Sequence, residues 1–328
     1  MAVAAPPESG APTGAPPSGG FSGKRRSEGV AKWIALIGAA LLLVVLAGML
    51  IRLLQESEPM WKAHGVGWLF GSTWSPSAPT NPQFGALPFV LGTLITSAIA
   101  LIIAAPLGIG TALFISELAP LKLRRPVGTV IDLLAAVPSV IYGLWGIAVL
   151  IPLMRPLEHG LADTLGKFIP IFSGGPAGPS GPSYLVAGVV LAIMILPTIS
   201  AVTREVFVTI PGDIKEAALA LGSTRWEAIR TAVLPPARTG IIGAMILGLG
   251  RALGETIAVV MVIGATPTIG ASILKPGYTM ASVIANEFLE ANEPLHLQAL
   301  IGVGLLLFLI TVLVDIGARV LVRKTKVK

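Results

Sequence analysis

The chain has 328 residues, 54% of them hydrophobic and 12% charged, with a formal net charge of +6 and a mean hydropathy of +0.83. Soluble domains carry about a quarter charged residues, so this composition lacks the polar surface of a water-soluble fold and marks an integral membrane protein. With no cysteine, disulfides and thiolate sites are excluded, and His64, His159 and His296 lie too far apart in sequence to predict a metal site.

At the N-terminus, residues 1–30 open with MAVAAPPESGAPTGAPPSGGFSG, a Pro, Gly, Ser and Ala stretch that buries little and is predicted to be a disordered tail. Lys24-Arg25-Arg26 then precede an apolar run. The run at 33–54 is too long for a signal peptide, and RLLQES after it offers no small-x-small cleavage site, so an uncleaved first span is expected. Six stretches can cross about 30 Å of hydrocarbon: 33–54, 87–115, 127–153, 184–202, 240–263 and 297–320. Pro106, Pro138 and Pro197 fall inside them, as neighbouring helices or a cavity allow. Basic residues cluster at 24–32, 122–125, 204–238 and 319–328, against Arg52, Lys62, Arg155, Lys167 and Lys275 on the other side. The positive-inside rule puts both termini in the cytoplasm, and an even number of spans agrees. The expected fold is all-α and polytopic: a first span and outer loop over 31–86, then a transmembrane domain over 87–323 with a cytoplasmic loop at 204–239.

The outer connection 55–86 holds Trp61, Trp68 and Trp74, as an interfacial aromatic belt would. The connection 155–183 includes SGGPAGPSGPS, a Pro/Gly loop. The connection 264–296 contains ASVIANEFLEA, a short helix or re-entrant segment, whose Asn286 and Glu287, with Glu290, are candidates to meet an outer partner. Thr93, Thr96 and Ser97 are candidates to line a path, although hydroxyls commonly bond back within membrane helices. Asp132 and Asp315 read as solvated or capping groups near cytoplasmic span ends.

Between the fourth and fifth spans lies EAALALGSTRWEAIRTAVLP (216–235). Pro211-Gly212 makes a turn, Asp213 can cap a helix with Glu216 three residues on, and Gly222 suits a left-handed helix end. Thr224 and Glu227 form a second capping box, and Pro235-Pro236 are expected to stop the second helix. This predicts helix, turn, helix on the cytoplasmic surface. A DNA-binding reading fails because both ends are tied to membrane spans. A helix lying on lipid accounts for Trp226 and the arginines but not for two short capped helices. A docking element entering a groove on a cytoplasmic partner accounts for both.

These residues resemble the permease subunits of ABC importers, whose pattern is EAA, three residues, Gly, nine residues, Ile, any residue, Leu-Pro. Glu216, Ala217, Ala218, Gly222, Leu234 and Pro235 fall in register, and Ala232 stands where that family has Ile. In that family this loop docks on the ATP-hydrolysing subunit. No GxxxxGK[ST] phosphate loop is present, so no nucleotide site and no enzymatic activity are expected on this chain.

A wider resemblance covers most of the chain from Trp68 to the last span. QFGALPFVLGTLITS (83–97), DLLAAVPSVIYGLWG (132–146), LPTISAVTREVFVTIPGDIKEAALALG (196–222) and GRALGETIAVVMVIG (250–264) are similar to the permeases of the phosphate-specific transport system, of the MetI-like transmembrane domain family. The YGLW element and the length of the first outer loop resemble the PstC-type rather than the PstA-type subunit. The resemblance implies a type I importer fold in the bacterial cell membrane, inorganic phosphate as cargo, and a second, PstA-type permease. It also implies a PstB-type ATPase dimer carrying ATP and Mg, and an extracytoplasmic PstS-type phosphate-binding protein. No cofactor is expected on this chain. The neighbouring possibilities are a permease for sulfate or molybdate and, from another class, a secondary anion transporter.

Arg251 lies within the fifth predicted span, where insertion costs about 2.5–3.5 kcal/mol. Glu255 follows four residues later, one turn along a continuous helix. Either the two form an ion pair that lets the helix insert, or both face a polar pathway. Gly250 and Gly254 form a GxxxG beside them that would admit another helix. Arg offers planar donors to an oxyanion, and Glu can accept a hydrogen bond from protonated phosphate.

Overall fold

Within hydrocarbon every backbone polar group must be satisfied inside the chain, so long apolar runs resolve into helices. The computed structural model describes residues 22–78, 80–174, 178–270 and 272–325. Residues 1–21 of the expected tail therefore lie outside the described residues. In chain order the structure has helix α1 (Ser22–His64), the short antiparallel strands β1 (Trp74–Ser75) and β2 (Gln83–Phe84), α2 (Leu87–Leu113), α3 (Leu121–Ala136), α4 (Ser139–Trp145), α5 (Ile151–Thr164), α6 (Tyr184–Val208), α7 (Gly212–Ala220), α8 (Arg225–Ala228), α9 (Leu234–Leu253), α10 (Ile257–Ile263), α11 (Met280–Glu287) and α12 (Pro294–Thr325). Six helical segments among the described residues are long and apolar enough to cross a membrane: Ala31–His64, Leu87–Leu118, Ser139–Lys167, Tyr184–Val208, Arg225–Leu253 and Pro294–Val320.

The chain forms two compact units, residues 1–52 and 53–328. The described part of the first is helical throughout and belongs to α1. The second is organised around α6, which packs on α2, α3, α9 and α10. Its main core joins Ala100 and Ala104 of α2, Val190, Leu191, Ile195 and Ile199 of α6, Ala244 of α9, and Val259 and Val262 of α10. A second core collects Met60, Trp68, Trp74, Phe84, Phe89, Tyr278, Met280, Leu300 and Val303.

That second core corrects the expected aromatic belt. Trp68 and Trp74 are 3% and 7% exposed, and Trp61 is half-buried. Trp74 stacks edge-on against Phe84 and Phe89, and Trp61 against Trp68, so the rings fasten the outer loop to α2 and α12 instead of facing lipid headgroups.

Two spans differ from the predicted ones for reasons that prolines and glycines supply. The expected span 127–153 is divided at Val137-Pro138. Val137 is extended (φ −66°, ψ 127°), as a residue before proline prefers. The membrane-length segment begins after it, at Ser139, and α3 is a separate helix. The expected span 240–263 is likewise divided, at Gly254–Thr256, and its long helix starts earlier, within the 216–235 segment.

Candidate functional site

The residues singled out in sequence fall in two places, one at each end of α9. The first is the 216–235 segment. α7 holds Glu216, Ala217 and Ala218, the first two exposed and the third half-buried. Its N-cap is Pro211, with no side-chain cap bond, so Asp213 does not cap the helix as expected. Asp213 sits two positions past the N-cap, where its charge complements the helix dipole. Gly222 adopts φ +88°, the left-handed geometry of a helix end, with the Ser223 amide donating to the Ala218 carbonyl at 3.3 Å. Thr224 and Glu227 form the predicted capping box: the Glu227 amide donates to Thr224 Oγ1 at 3.3 Å and the Thr224 amide to Glu227 Oε2 at 2.8 Å. Around this turn Ile214, Leu221 and Trp226 are exposed, Leu221 by 90%.

Pro235-Pro236 do not stop the second helix. A wide turn at Ile229–Val233, in which the Leu234 amide reaches back five residues to the Ile229 carbonyl, absorbs the missing proline N–H groups, and the prolines become the first turn of α9. The docking-type helix and the fifth span are thus one helical rod from Arg225 to Leu253. α7 is held from the side by an ion pair between Lys215 and Glu117, the latter only 10% exposed at the end of the second span.

The second place is the other end of that rod. α9 ends at Leu253 with Gly254 as its C-cap, three residues intervene, and α10 begins at Ile257. Arg251 and Glu255 are therefore not one turn apart on a single helix face, and among the described residues they form no ion pair. Glu255 Oε1 instead accepts the Ala258 amide at 3.3 Å, satisfying the first turn of α10. Its second oxygen carries no protein bond among the described residues. Arg251 is exposed, as are Gly254 and Ile257. Nothing within 4 Å would meet a Cβ at Gly250, so among the described residues no other helix of this chain packs against it.

The YGLW element, in sequence only a family resemblance, has structural roles for Tyr142 and Gly143. The structure sets its Tyr142 near enough to Arg251 for the two to interact electrostatically. The Tyr142 hydroxyl donates to the Leu134 carbonyl at 2.8 Å, bridging the break at Pro138. At Gly143 a Cβ would fall 2.5 Å from Met261 Sδ and 3.2 Å from Ala258 Cα, so glycine lets α4 lie directly on α10. The signal in sequence was a small residue beside a tyrosine just after a proline break.

The remaining candidates sort by burial. Thr93 and Thr96 bond back to the Phe89 and Gly92 carbonyls at 2.8 Å, and Thr93 also accepts the Met280 amide at 2.9 Å. Both are 1% exposed and line no path within this chain; Thr93 fastens α2 to α11, and Thr96 bonds only within α2. Glu287 accepts Trp74 Nε1–H at 2.9 Å and lies 3.1 Å from His296 Nε2, which makes it part of the outer core. Asn286 bonds Tyr278, and Glu290 is exposed. Asp132 lines a cavity with Arg124, Arg125 and Arg204. No group of three or more His, Asp or Glu among the described residues could hold a metal ion.

A family model described as binding-protein-dependent transport system inner membrane component matches residues 104–327. The chain is 45% identical over 282 residues to the phosphate transport system permease protein PstC of Mesorhizobium japonicum, covering 86% of this chain and 85% of that one. It is 43% identical over 300 residues to the protein of the same name from Haemophilus influenzae, covering 90% and 93%. With PstC 2 of Mycobacterium tuberculosis it shares 39% over 296 residues, covering 90% and 91%. Among solved structures it resembles a chain of a bacterial alginate ABC transporter in complex with a pentasaccharide-bound periplasmic protein. The TM-score is 0.61 at 16% identity, over 93% of this chain and 97% of that one, which is a likeness of fold.

Proposed function

The chain belongs to the family of binding-protein-dependent transport system inner membrane components, and on that premise we propose that it is the permease subunit of an ABC importer carrying inorganic phosphate across the bacterial inner membrane. The observation that carries the reading is identity of 39–45% to phosphate permeases over most of both chains. Both termini lie in the cytoplasm, where the basic residues concentrate.

The geometry supports a division of labour along α9. Glu216, Ala217, Ala218 and Gly222, with the exposed apolar residues beside them, dock on a PstB-type ATPase dimer that holds ATP and Mg. Leu234 and Pro235 begin the rod that carries its motion into the membrane. ATP-driven closure of that dimer moves α7 and α8, and the rod, continuous through its wide turn at Ile229–Val233, transmits the shift to its far end. There Arg251 faces the path shared with a PstA-type permease. Exposure of a guanidinium within a span requires a partner subunit or water against it, since lipid would penalise it. Its planar donors hold the oxyanion, and the open oxygen of Glu255 accepts a hydrogen bond from protonated phosphate. A PstS-type binding protein delivers phosphate at the outer face. No covalent step occurs on this chain.

The test is radiolabelled phosphate uptake in cells with and without this chain, with excess sulfate and molybdate as competitors and with ATP depletion in parallel. Loss of an ATP-dependent uptake that ignores the competitors is expected. Uptake unaffected by ATP depletion, or abolished by sulfate, would overturn the reading.

A further inference from the structure

Apart from the path residues, the molecule has a second concentration of unanswered positive charge. A cavity of about 450 Å³ opens between the end of the second span, α3 and the end of α6, lined by Arg124, Arg125, Arg204, Ser116, Thr129 and Asp132 among others. Three guanidinium groups converge there from two different helices. Gly128 makes the convergence possible: a Cβ at that position would lie 2.8 Å from Arg204 Nη1, so the missing side chain is the space the guanidinium enters.

The protein answers little of this charge. Arg124 donates Nε–H to the Ala119 carbonyl at 3.0 Å. Arg204 reaches Glu205 only at 3.9 Å, and that carboxylate is 73% exposed. Arg125 has no side-chain partner among the described residues. Two carboxylates line the cavity, but Glu117 is committed to Lys215, and Asp132 pairs with none of the arginines within 4 Å. The hydroxyls of Ser116 and Thr129 bond back to the Ala112 and Arg125 carbonyls and present their oxygens as further neighbours. Beside the polar lining stand Ile115, Phe207 and the exposed Val208.

We propose that this cavity is a binding site for a phosphate oxyanion, supplied either by the headgroup of an anionic phospholipid or by free orthophosphate on the cytoplasmic side. Forked donors from three arginines match tetrahedral oxyanions, and basic pockets between membrane helices on that side take lipid headgroups. The exposed Val208 at the mouth gives an acyl chain a point of contact, Ile115 and Phe207 being buried behind it, and the volume also admits a free anion.

The assembled transporter is purified in detergent and studied in two arms. Native mass spectrometry reads retained phospholipid. Equilibrium binding of radiolabelled orthophosphate, without binding protein, reads the free anion. Wild type is compared with Arg125→Gln/Arg204→Gln, with Thr129→Asp, which keeps all three arginines but adds a negative charge at the cavity, and with Arg251→Ala, which alters only the proposed path. Retained lipid or bound phosphate that weakens about tenfold or more in the first two variants and survives in Arg251→Ala supports the site, and the arm that responds identifies the source. No bound phosphate or phospholipid in wild type, or binding unchanged in both cavity variants, overturns it. Binding lost only in Arg251→Ala also overturns it, and leaves the transport reading untouched.

Discussion

Arg251 and Glu255 illustrate how one backbone break changes what two side chains can do. On an unbroken helix they would neutralise each other. With Gly254 ending α9, Glu255 turns to the Ala258 amide and Arg251 stays exposed. The two can therefore be separated experimentally. Arg251→Ala removes a charged donor and is expected to lower kcat/KM for uptake by about ten- to a hundredfold at unchanged membrane abundance. Glu255→Gln keeps an acceptor for Ala258 and should leave the protein as stable as wild type, while uptake falls because the amide can present an N–H toward protonated phosphate where the carboxylate accepts. Measuring abundance and uptake together checks both. A loss of abundance in Glu255→Gln would mean that the carboxylate serves only the fold.

At the scale of elements, apolar runs, the Gly222 turn and the Thr224 capping box were legible in sequence because each is local: the periodicity and the cap lie within a few residues. What was not legible depended on how the chain answers a proline. Pro138 and Pro235 look alike in sequence. The first starts a new helix after an extended Val137, and the second is absorbed by a wide turn with the Leu234 amide bonded five residues back. Pro236 follows only the second, and the wide turn before it packs Ile229 and Val233 with Ala112 and Leu113 of α2 and Phe207 of α6, contacts no local reading supplies. Burial of Trp68 and Trp74 was hidden because it is fixed by Leu300 and Val303 of α12, from far along the chain. The Lys215–Glu117 pair, 98 residues apart, was beyond any local reading. It makes a specific prediction. Glu117→Lys should detach α7 from the second span and lower the phosphate moved per ATP hydrolysed several-fold, and adding Lys215→Glu should restore much of it. Coupling ratios in reconstituted vesicles read this directly. Separately, Gly222→Pro cannot adopt φ +88° and removes an amide that bonds the Leu219 carbonyl, so pull-down of the ATPase is expected to fail while the spans remain inserted.

For the whole molecule, one exposed guanidinium within a span has a consequence for the life of the chain before it works. On the proposed reading a second permease covers this face, so a newly made copy without it presents Arg251 and the bare glycine face around it to the bilayer, a state lipid penalises. Membrane proteases act on species that open or sit badly, so orphan copies should be short-lived and each cell should hold no more of this subunit than its partner can cover. Pulse-chase labelling in cells lacking the partner permease is expected to show a half-life several-fold shorter than in complete cells, and Arg251→Leu should restore most of it. The same side chain that would hold the cargo thereby acts as a marker of incompleteness, and subunit stoichiometry is enforced by turnover with no dedicated regulator.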